Sequence, residues 1–254
     1  MIKGLKTFFL ATGQIFEFTI RYFREVLFPP YEFQELLKQC YFIGNKSLAL
    51  VSITGFIMGI VLTLQTRPTL IEFGAASWMP SMVGIAIVRE IGHVVTALIR
   101  AAKVGSGIGA ELASMKVTEQ IDAMEVSGIN PFKYLVITRV TATMFMIPIL
   151  VVLSDIISLF GSALVEFLKG GVTFQLYFSQ VFEYLNFSDL VPSIAKSFFF
   201  GFAIGIVGCY KGFTSTKGTE GVGRTANEAV VISSMLVFII DFLAVLVTDI
   251  FYDL

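Results

Sequence analysis

The sequence predicts an all-α integral membrane protein: five transmembrane helices, an N-terminal interfacial helix and a short amphipathic helix in one connection. Three observations carry this reading. Of 254 residues, 56% are hydrophobic and only 15% charged, with a mean hydropathy of +0.82, more apolar surface than a soluble core of this length can hide. Five apolar stretches approach the ~20 residues that a bilayer core requires. Lys and Arg crowd into alternate connections, which sets an orientation.

Residues 1–43 form an N-terminal region of interfacial and elbow helices. Over 5–28, Phe8, Ile15, Phe16, Thr19, Phe23 and Val26 recur near helical spacing with Lys6, Arg21 and Arg24 between them, the pattern of a helix lying in the headgroup plane. Lys3 and Lys6 precede a short apolar run, but no small-residue cleavage site follows and charge resumes at Glu17, so a cleaved leader is not expected. Pro29 and Pro30 end that helix, and 31–43 reads as a separate short elbow.

Residues 44–254 hold the spans, expected near 47–65, 82–102, 140–160, 190–210 and 229–248. Pro148 is expected to bend the third. One set of connections carries Lys3, Lys6, Arg21, Arg24, Lys38 and Lys46, then Arg100, Lys103, Lys116, Lys133 and Arg139, then Lys211, Lys217 and Arg224, against only Arg67 and Lys169 on the other. That bias places the N-terminus in the cytoplasm and the acidic tail, 249–254, outside. Small residues at helical spacing, Gly55 and Gly59, Ala97 and Ala101, and Gly201, Gly205 and Gly208, mark where helices approach closely. The aromatic-rich segment 170–189, with Phe174, Tyr177, Phe178, Phe182, Tyr184 and Phe187, suits an outer interfacial helix.

Most chemistry is excluded. A formal net charge of −1 gives no pull toward nucleic acid. Cys40 and Cys209 are too few for a disulfide framework or a zinc site and read as small apolar fillers. No glycine-rich loop ends in Gly-Lys-Ser/Thr, so the chain does not hydrolyse nucleotides itself. Glu90 and His93 make half of a Glu-x-x-His di-iron pair whose other half is missing, and Ser106 with His93 makes a poor protease pair because Ser106 sits among glycines at a span edge. Neither a catalytic residue nor a metal site is expected.

Charge in hydrocarbon remains. Arg89 and Glu90 fall near the middle of the second span, with Asp155, Lys196 and Asp241 in the third, fourth and fifth. Each would cost roughly 2.5–3.5 kcal/mol at a lipid-facing helix centre, so they should face a cavity or one another. Neighbours on a helix point about 100° apart, so Arg89 and Glu90 are not expected to share one narrow seam. One function compatible with these groups is an ion-coupled secondary transporter or channel with Glu90, Asp155 and Asp241 as a proton relay. In the connection after the second span, Glu119, Asp122 and Glu125 share one helical face, and Val117, Ile121 and Met124 another, before Gly128 and Asn130-Pro131 stop the helix. This amphipathic segment, about 115–131, invites a partner's groove.

From Lys46 to Leu246 the chain resembles the MlaE/YrbE-type permeases of ABC systems that move phospholipid between membranes with MCE proteins. The match lies in Arg89-Glu90-Ile91-Gly92, Gly105-Ser106 leading to Ala110-Glu111-Leu112, 119–124 (EQIDAM) with Pro131 beyond, and 221–225 (GVGRT). The resemblance implies a permease in the bacterial inner membrane that is not itself an enzyme and pairs with a second copy of itself. ATP and magnesium would be bound by separate ATPase subunits gripping a coupling helix with Glu119, Gln120, Asp122, Met124, Glu125 and Pro131. It further implies an external MCE-domain partner, a periplasmic C-terminus and a lipid cavity lined by Leu62, Gln65, Thr69, Phe73, Arg89 and Glu90. The chain departs from the family in having His93 where Pro is usual after the Arg-Glu-x-Gly motif, and Thr138 where Pro commonly precedes Arg139.

Overall fold

The computed structural model describes residues 2–215 and 218–252, and among these it contains helices and no strands. The side chains of Lys3, Lys6 and Phe8, residue Lys217 and the last two residues of the acidic tail, Asp253 and Leu254, lie outside the described residues. Helix α1 (Ile2–Val26) stops before Pro29-Pro30. Helix α2 (Phe33–Glu72) then runs unbroken for 40 residues. The separate elbow expected over 31–43 is therefore not formed. With no proline between Phe33 and Pro68, nothing in that stretch forces the helix to end, and the elbow and first span fuse.

The second span is a jointed path over Ala76–Val117. A 3₁₀ turn (Ala76–Trp78) leads into α3 (Met79–Ala86), a π-helical turn (Ile87–Ile91), α4 (Gly92–Arg100), a second π turn (Ala101–Gly105) and α5 (Ser106–Val117). Short α6 (Gln120–Val126) follows, then α7 (Thr138–Val165) flanked by π turns at Phe132–Ile137 and Glu166–Gly170. Helix α7 continues through Pro148. Helices α8 (Phe174–Tyr184), α9 (Phe187–Phe213) and α10 (Thr219–Tyr252) complete the chain. Among the described residues five helical segments are long and apolar enough to cross a membrane, as expected, and all outrun their expected bounds. Hydropathy marks only the greasy middle of a span, whereas backbone hydrogen bonding carries the helix on into its polar ends.

Contacts gather in two compact units, Met1–Ile43 with Arg100–Met144 and Gly201–Leu236, and Gly44–Ile99 with Phe145–Phe200 and Val237–Leu254. In the first unit α1 presents two apolar faces rather than one. Phe18 packs edge-on against Phe132 and Tyr210, and Tyr22 shares a 2.9 Å hydrogen bond with Thr141, while Phe16, Ile20 and Phe23 stay exposed. The glycine stripe of α9 seats other helices: a Cβ on Gly201 would stand 2.5 Å from the Thr143 carbonyl oxygen, and one on Gly212 2.6 Å from Leu112 Cβ. Arg139, counted above as a connection charge, is buried and donates to Glu111 at 2.9 Å and to the Leu135 carbonyl at 3.1 Å. Arg100, counted likewise, is wholly buried.

In the second unit Ser162 of α7 accepts hydrogen bonds from Thr63 of α2 and Tyr177 of α8, both at 2.6 Å. Burial pushes the Tyr177 phenol up to about 12, the Ser162 bond offsetting part of that. Thr173 caps α8 by accepting from the Leu176 N–H. The buried face of α8, Tyr177 and Val181, joins Met79, Val83, Ile87, Val88 and Leu159 in one apolar cluster. Helices α2 and α7 touch backbone to backbone at Gly59, where a Cβ would lie 1.9 Å from the Ser158 carbonyl oxygen.

Gly59→Ala should therefore force these helices apart and destabilise the protein by about 1–3 kcal/mol. Gly107→Ala, where nothing lies within 4 Å of the added carbon, should leave stability unchanged or raise it slightly. Thermal unfolding in detergent, followed by size exclusion, distinguishes the two.

Candidate functional site

The intramembrane charges meet on one face of α9. Asp189, Ser193 and Lys196 are spaced by four and then three residues, which stacks them along that helix. Arg89 donates to Asp189 Oδ1 through Nε at 2.8 Å and also through Nη2. Asp189 is buried in the first turn of α9, where its other oxygen accepts the Asn186 N–H at 3.1 Å and the helix dipole favours a negative charge. Two turns along, the Lys196 ammonium donates to Glu90 at 2.8 Å and to Asp241 of α10 at 3.0 Å. Ser193, between them, points its hydroxyl at the Arg89 carbonyl, 3.5 Å away.

Arg89 and Glu90 do not crowd one narrow seam: they reach different partners on α9 and both look into a cavity. Both lie in the π turn Ile87–Ile91, which departs from 100° spacing, and their partners stand seven residues apart on α9, about 10 Å along its axis. Together they line an open cavity of about 150 Å³ with Ser188, Asp189, Pro192, Ser193, Lys196 and, from α10, Ala244, Val245, Thr248 and Asp249. The Lys196 side chain is only 5% exposed, whereas those of Arg89 and Glu90 are 47% and 44% exposed and face the opening. The result is a mixed-charge recess at the end of a largely apolar helix cluster. Such a recess can hold a small zwitterionic or anionic group by charge-assisted hydrogen bonds.

The other expected residues fall elsewhere. Leu62 packs on the apolar cluster of α3 and α8, while Gln65 and Thr69 lie exposed on α2 and Phe73 in the turn after it, and none of the four lines the Arg89 cavity. Asp155 does not join Glu90 and Asp241. Its carboxylate is 3.6 Å from His93 Nδ1. Asp189 was missed by sequence reading, which assigned it to the end of the outer segment. Its spacing from Lys196 on one helical face was the available signal. The Arg67–Glu166 pair, at 3.2 Å, was likewise unexpected.

The segment expected to be one helix from Val117 is broken. Helix α5 ends at Val117, and Glu119 takes a left-handed conformation (φ 60°) as the cap of α6, so Glu119 does not continue the face of Asp122 and Glu125. The turn is what lets α6 leave the axis of α5. The stop at Gly128 is as expected: with φ of 79°, its N–H bonds to the Glu125 carbonyl and that of Ile129 to Met124, a Schellman closure. Ile121 is buried and Met124 half-buried, Pro131 is buried at the start of the next helix, and Glu119, Gln120, Asp122 and Glu125 are exposed beside Val126, which is 90% exposed. Lys116 holds Asp122 at 2.7 Å across the joint.

Five membrane-length helices among the described residues, with an exposed short helix between the second and third, define a multi-pass membrane protein, and known proteins give its class. The chain is 39% identical over 218 residues to a probable ABC transporter permease protein of Rickettsia typhi, covering 86% of this chain and 84% of that one. It is 36% identical to one from Pyropia yezoensis, over 82% of this chain and 79% of the relative, and 32% identical to one from Synechocystis, over 92% and 86%. The family model described as Permease MlaE matches residues 36–247. The chain belongs to the MlaE family of ABC transporter permeases, multi-pass membrane subunits that work with partner ATPase subunits.

Lys196→Met should leave Glu90 and Asp241 facing each other without a cation. The expected loss is roughly 1–3 kcal/mol, less than for a fully enclosed pair because solvent reaches Glu90. Adding Glu90→Gln and Asp241→Asn to the same chain should recover most of the lost melting temperature.

Proposed function

We propose that this permease moves phospholipid between the inner and outer membranes, driven by separate ATPase subunits and working with an MCE-domain protein. The observation that carries this reading is the Arg89 recess, a hydrogen-bonding, mixed-charge cavity set in apolar helices. At about 150 Å³ it suits a phosphate-bearing headgroup rather than acyl chains, which belong against hydrocarbon surfaces. Extracting a chain into water costs about 0.8 kcal/mol per methylene, so an apolar route and an external energy source go together.

In this reading Arg89, steadied by Asp189, offers its exposed guanidinium edge to a lipid phosphate, and Glu90 stays paired to Lys196. Leu62, Gln65, Thr69 and Phe73 line the acyl path once a second copy of the chain is present. Their exposure along α2, and the 11% burial of the apolar window of α10, leave helix surface for lipid and for such a copy. The chain hydrolyses nothing and holds no cofactor; ATP and magnesium stay on the partner subunits. Helix α6 is the coupling helix, with Glu119, Gln120, Asp122, Met124 and Glu125 presented to the ATPase and Pro131 anchoring its return. Helix α1 rests at the interface, the N-terminus is cytoplasmic, the C-terminus is periplasmic, and the membrane is the bacterial inner one. The ion-coupled alternative is disfavoured by the separation of Asp155, which lies beside His93, from Glu90 and Asp241, which meet at Lys196.

Arg89→Ala should lower the phospholipid that co-purifies with the complex roughly tenfold, by loss of charged hydrogen bonds, as read by lipid mass spectrometry. Unchanged lipid would remove the headgroup role. Glu119→Lys with Asp122→Lys should abolish co-purification of the ATPase subunits while leaving the permease folded, and retained assembly would remove α6 as the coupling helix.

A further inference from the structure

A second cavity, of about 400 Å³, lies in the same unit as the Lys196 cluster and shares only Ser193 with the Arg89 recess. Its walls are hydrocarbon, from Val88, Val152, Leu159, Phe178 and Leu190, and its rim is formed by Ile156, Phe160 and Phe182, about half exposed or more. At one place the wall is polar. His93 and Asp155, only 1% and 7% exposed, line the cavity, and their 3.6 Å separation is too long for a hydrogen bond. Neither ring nitrogen of His93 nor Asp155 Oδ1 has a hydrogen-bond partner, whereas folded interiors satisfy nearly all such atoms. Gly92 makes room for the pair, since a Cβ there would stand 1.9 Å from Asp155 Oδ1. Among the described residues no Lys or Arg lines the cavity.

We infer that this cavity binds an uncharged single-chain amphiphile whose hydroxyl group hydrogen-bonds to His93 and Asp155 while its chain fills the apolar walls. Size sets the single chain. At ~30 Å³ per water-sized group the cavity accommodates about thirteen such groups, a chain of about twelve carbons with its head, and not a two-chain phospholipid. Charge sets the head. A phosphate or carboxylate would lose its hydration where, among the described residues, no Lys or Arg lines the wall, and a plain hydrocarbon would leave the polar atoms unpaired. A hydroxyl both donates and accepts, so it serves the carboxylate and either tautomer of the imidazole. The exposed rim of Ile156, Phe160 and Phe182 lets such a molecule enter from surrounding hydrocarbon. The site is separate from the phospholipid recess and does not depend on it.

The test uses the full-length protein in nanodiscs and three tritiated probes of about twelve carbons, each with a terminal diazirine: a primary alcohol, the matching hydrocarbon and the matching carboxylic acid. After irradiation, labelled peptides are mapped by mass spectrometry. The alcohol should label the Phe160 or Phe178–Phe182 region with about tenfold higher affinity than the hydrocarbon, and the acid should bind more weakly than the alcohol. Ile156→Trp, a half-exposed rim position where bulk closes the opening without disturbing the core, should remove this labelling. His93→Leu with Asp155→Leu, which replaces both polar partners at once and should melt no lower than the unaltered protein, should reduce the alcohol to the hydrocarbon's affinity. Equal binding of alcohol and hydrocarbon to the unaltered protein, stronger binding of the acid, or alcohol labelling that survives Ile156→Trp would overturn the inference.

Discussion

The arrangement of the second unit depends on one ammonium group. Lys196 is almost wholly enclosed, and an enclosed cation is tolerable only where carboxylates meet it. Glu90 from the π turn and Asp241 from α10 satisfy that demand, which fixes the rotation of α9 about its axis and the height of α10 beside it. With α9 so turned, Asp189 and Ser193 necessarily face Arg89, and the recess follows. Hydrophobic burial could not have set this rotation, because lipid and protein interior are equally apolar and a greasy helix gains little by turning one greasy face inward rather than another. Close packing completes the constraint at places such as Gly59, where the absence of a side chain lets α2 reach the backbone of α7.

The same cluster explains why the site is mixed in charge rather than basic. Two cations, Arg89 and Lys196, stand among the carboxylates of Glu90, Asp189, Asp241 and Asp249, so the recess is not basic and need not bind an anion tightly. For a transporter this is an advantage: a headgroup that binds too well is not released. On the proposed function, the partner ATPases supply the free energy of extraction through α6, and the charged recess only orients what passes. The left-handed Glu119 and the Schellman closure at Gly128 hold α6 as a short, sharply bounded element.

Much of this was legible in the sequence for identifiable reasons. Span number and approximate position follow from hydropathy, since satisfying the backbone in lipid leaves only helices of bilayer length. The stop at Gly128 was legible because positive φ favours glycine. Three things were not. The fusion of 31–43 with the first span depended on the absence of a breaker rather than the presence of a signal. The π turn at Ile87–Ile91 has no residue signature, so the directions in which it sends Arg89 and Glu90 were not readable. The juxtaposition of His93 and Asp155 brings together two helices whose registry no local pattern records. Asp189 was readable in retrospect from its spacing to Lys196, but an acidic residue near a helix start has many ordinary explanations.

The central claim is that phospholipid passes the recess built by Arg89 and the Lys196 cluster. It is tested most directly by placing the photocrosslinking amino acid p-benzoylphenylalanine at Ala244, which lines the recess, and at Leu168, an exposed apolar position on the π turn after α7. The complex is irradiated in membranes during ATP turnover and the adducts are identified by mass spectrometry. Phospholipid adducts at Ala244 that rise with ATP, against a turnover-independent background at Leu168, are the predicted result. Equal, ATP-insensitive adducts at both positions, or none at Ala244, would contradict the account.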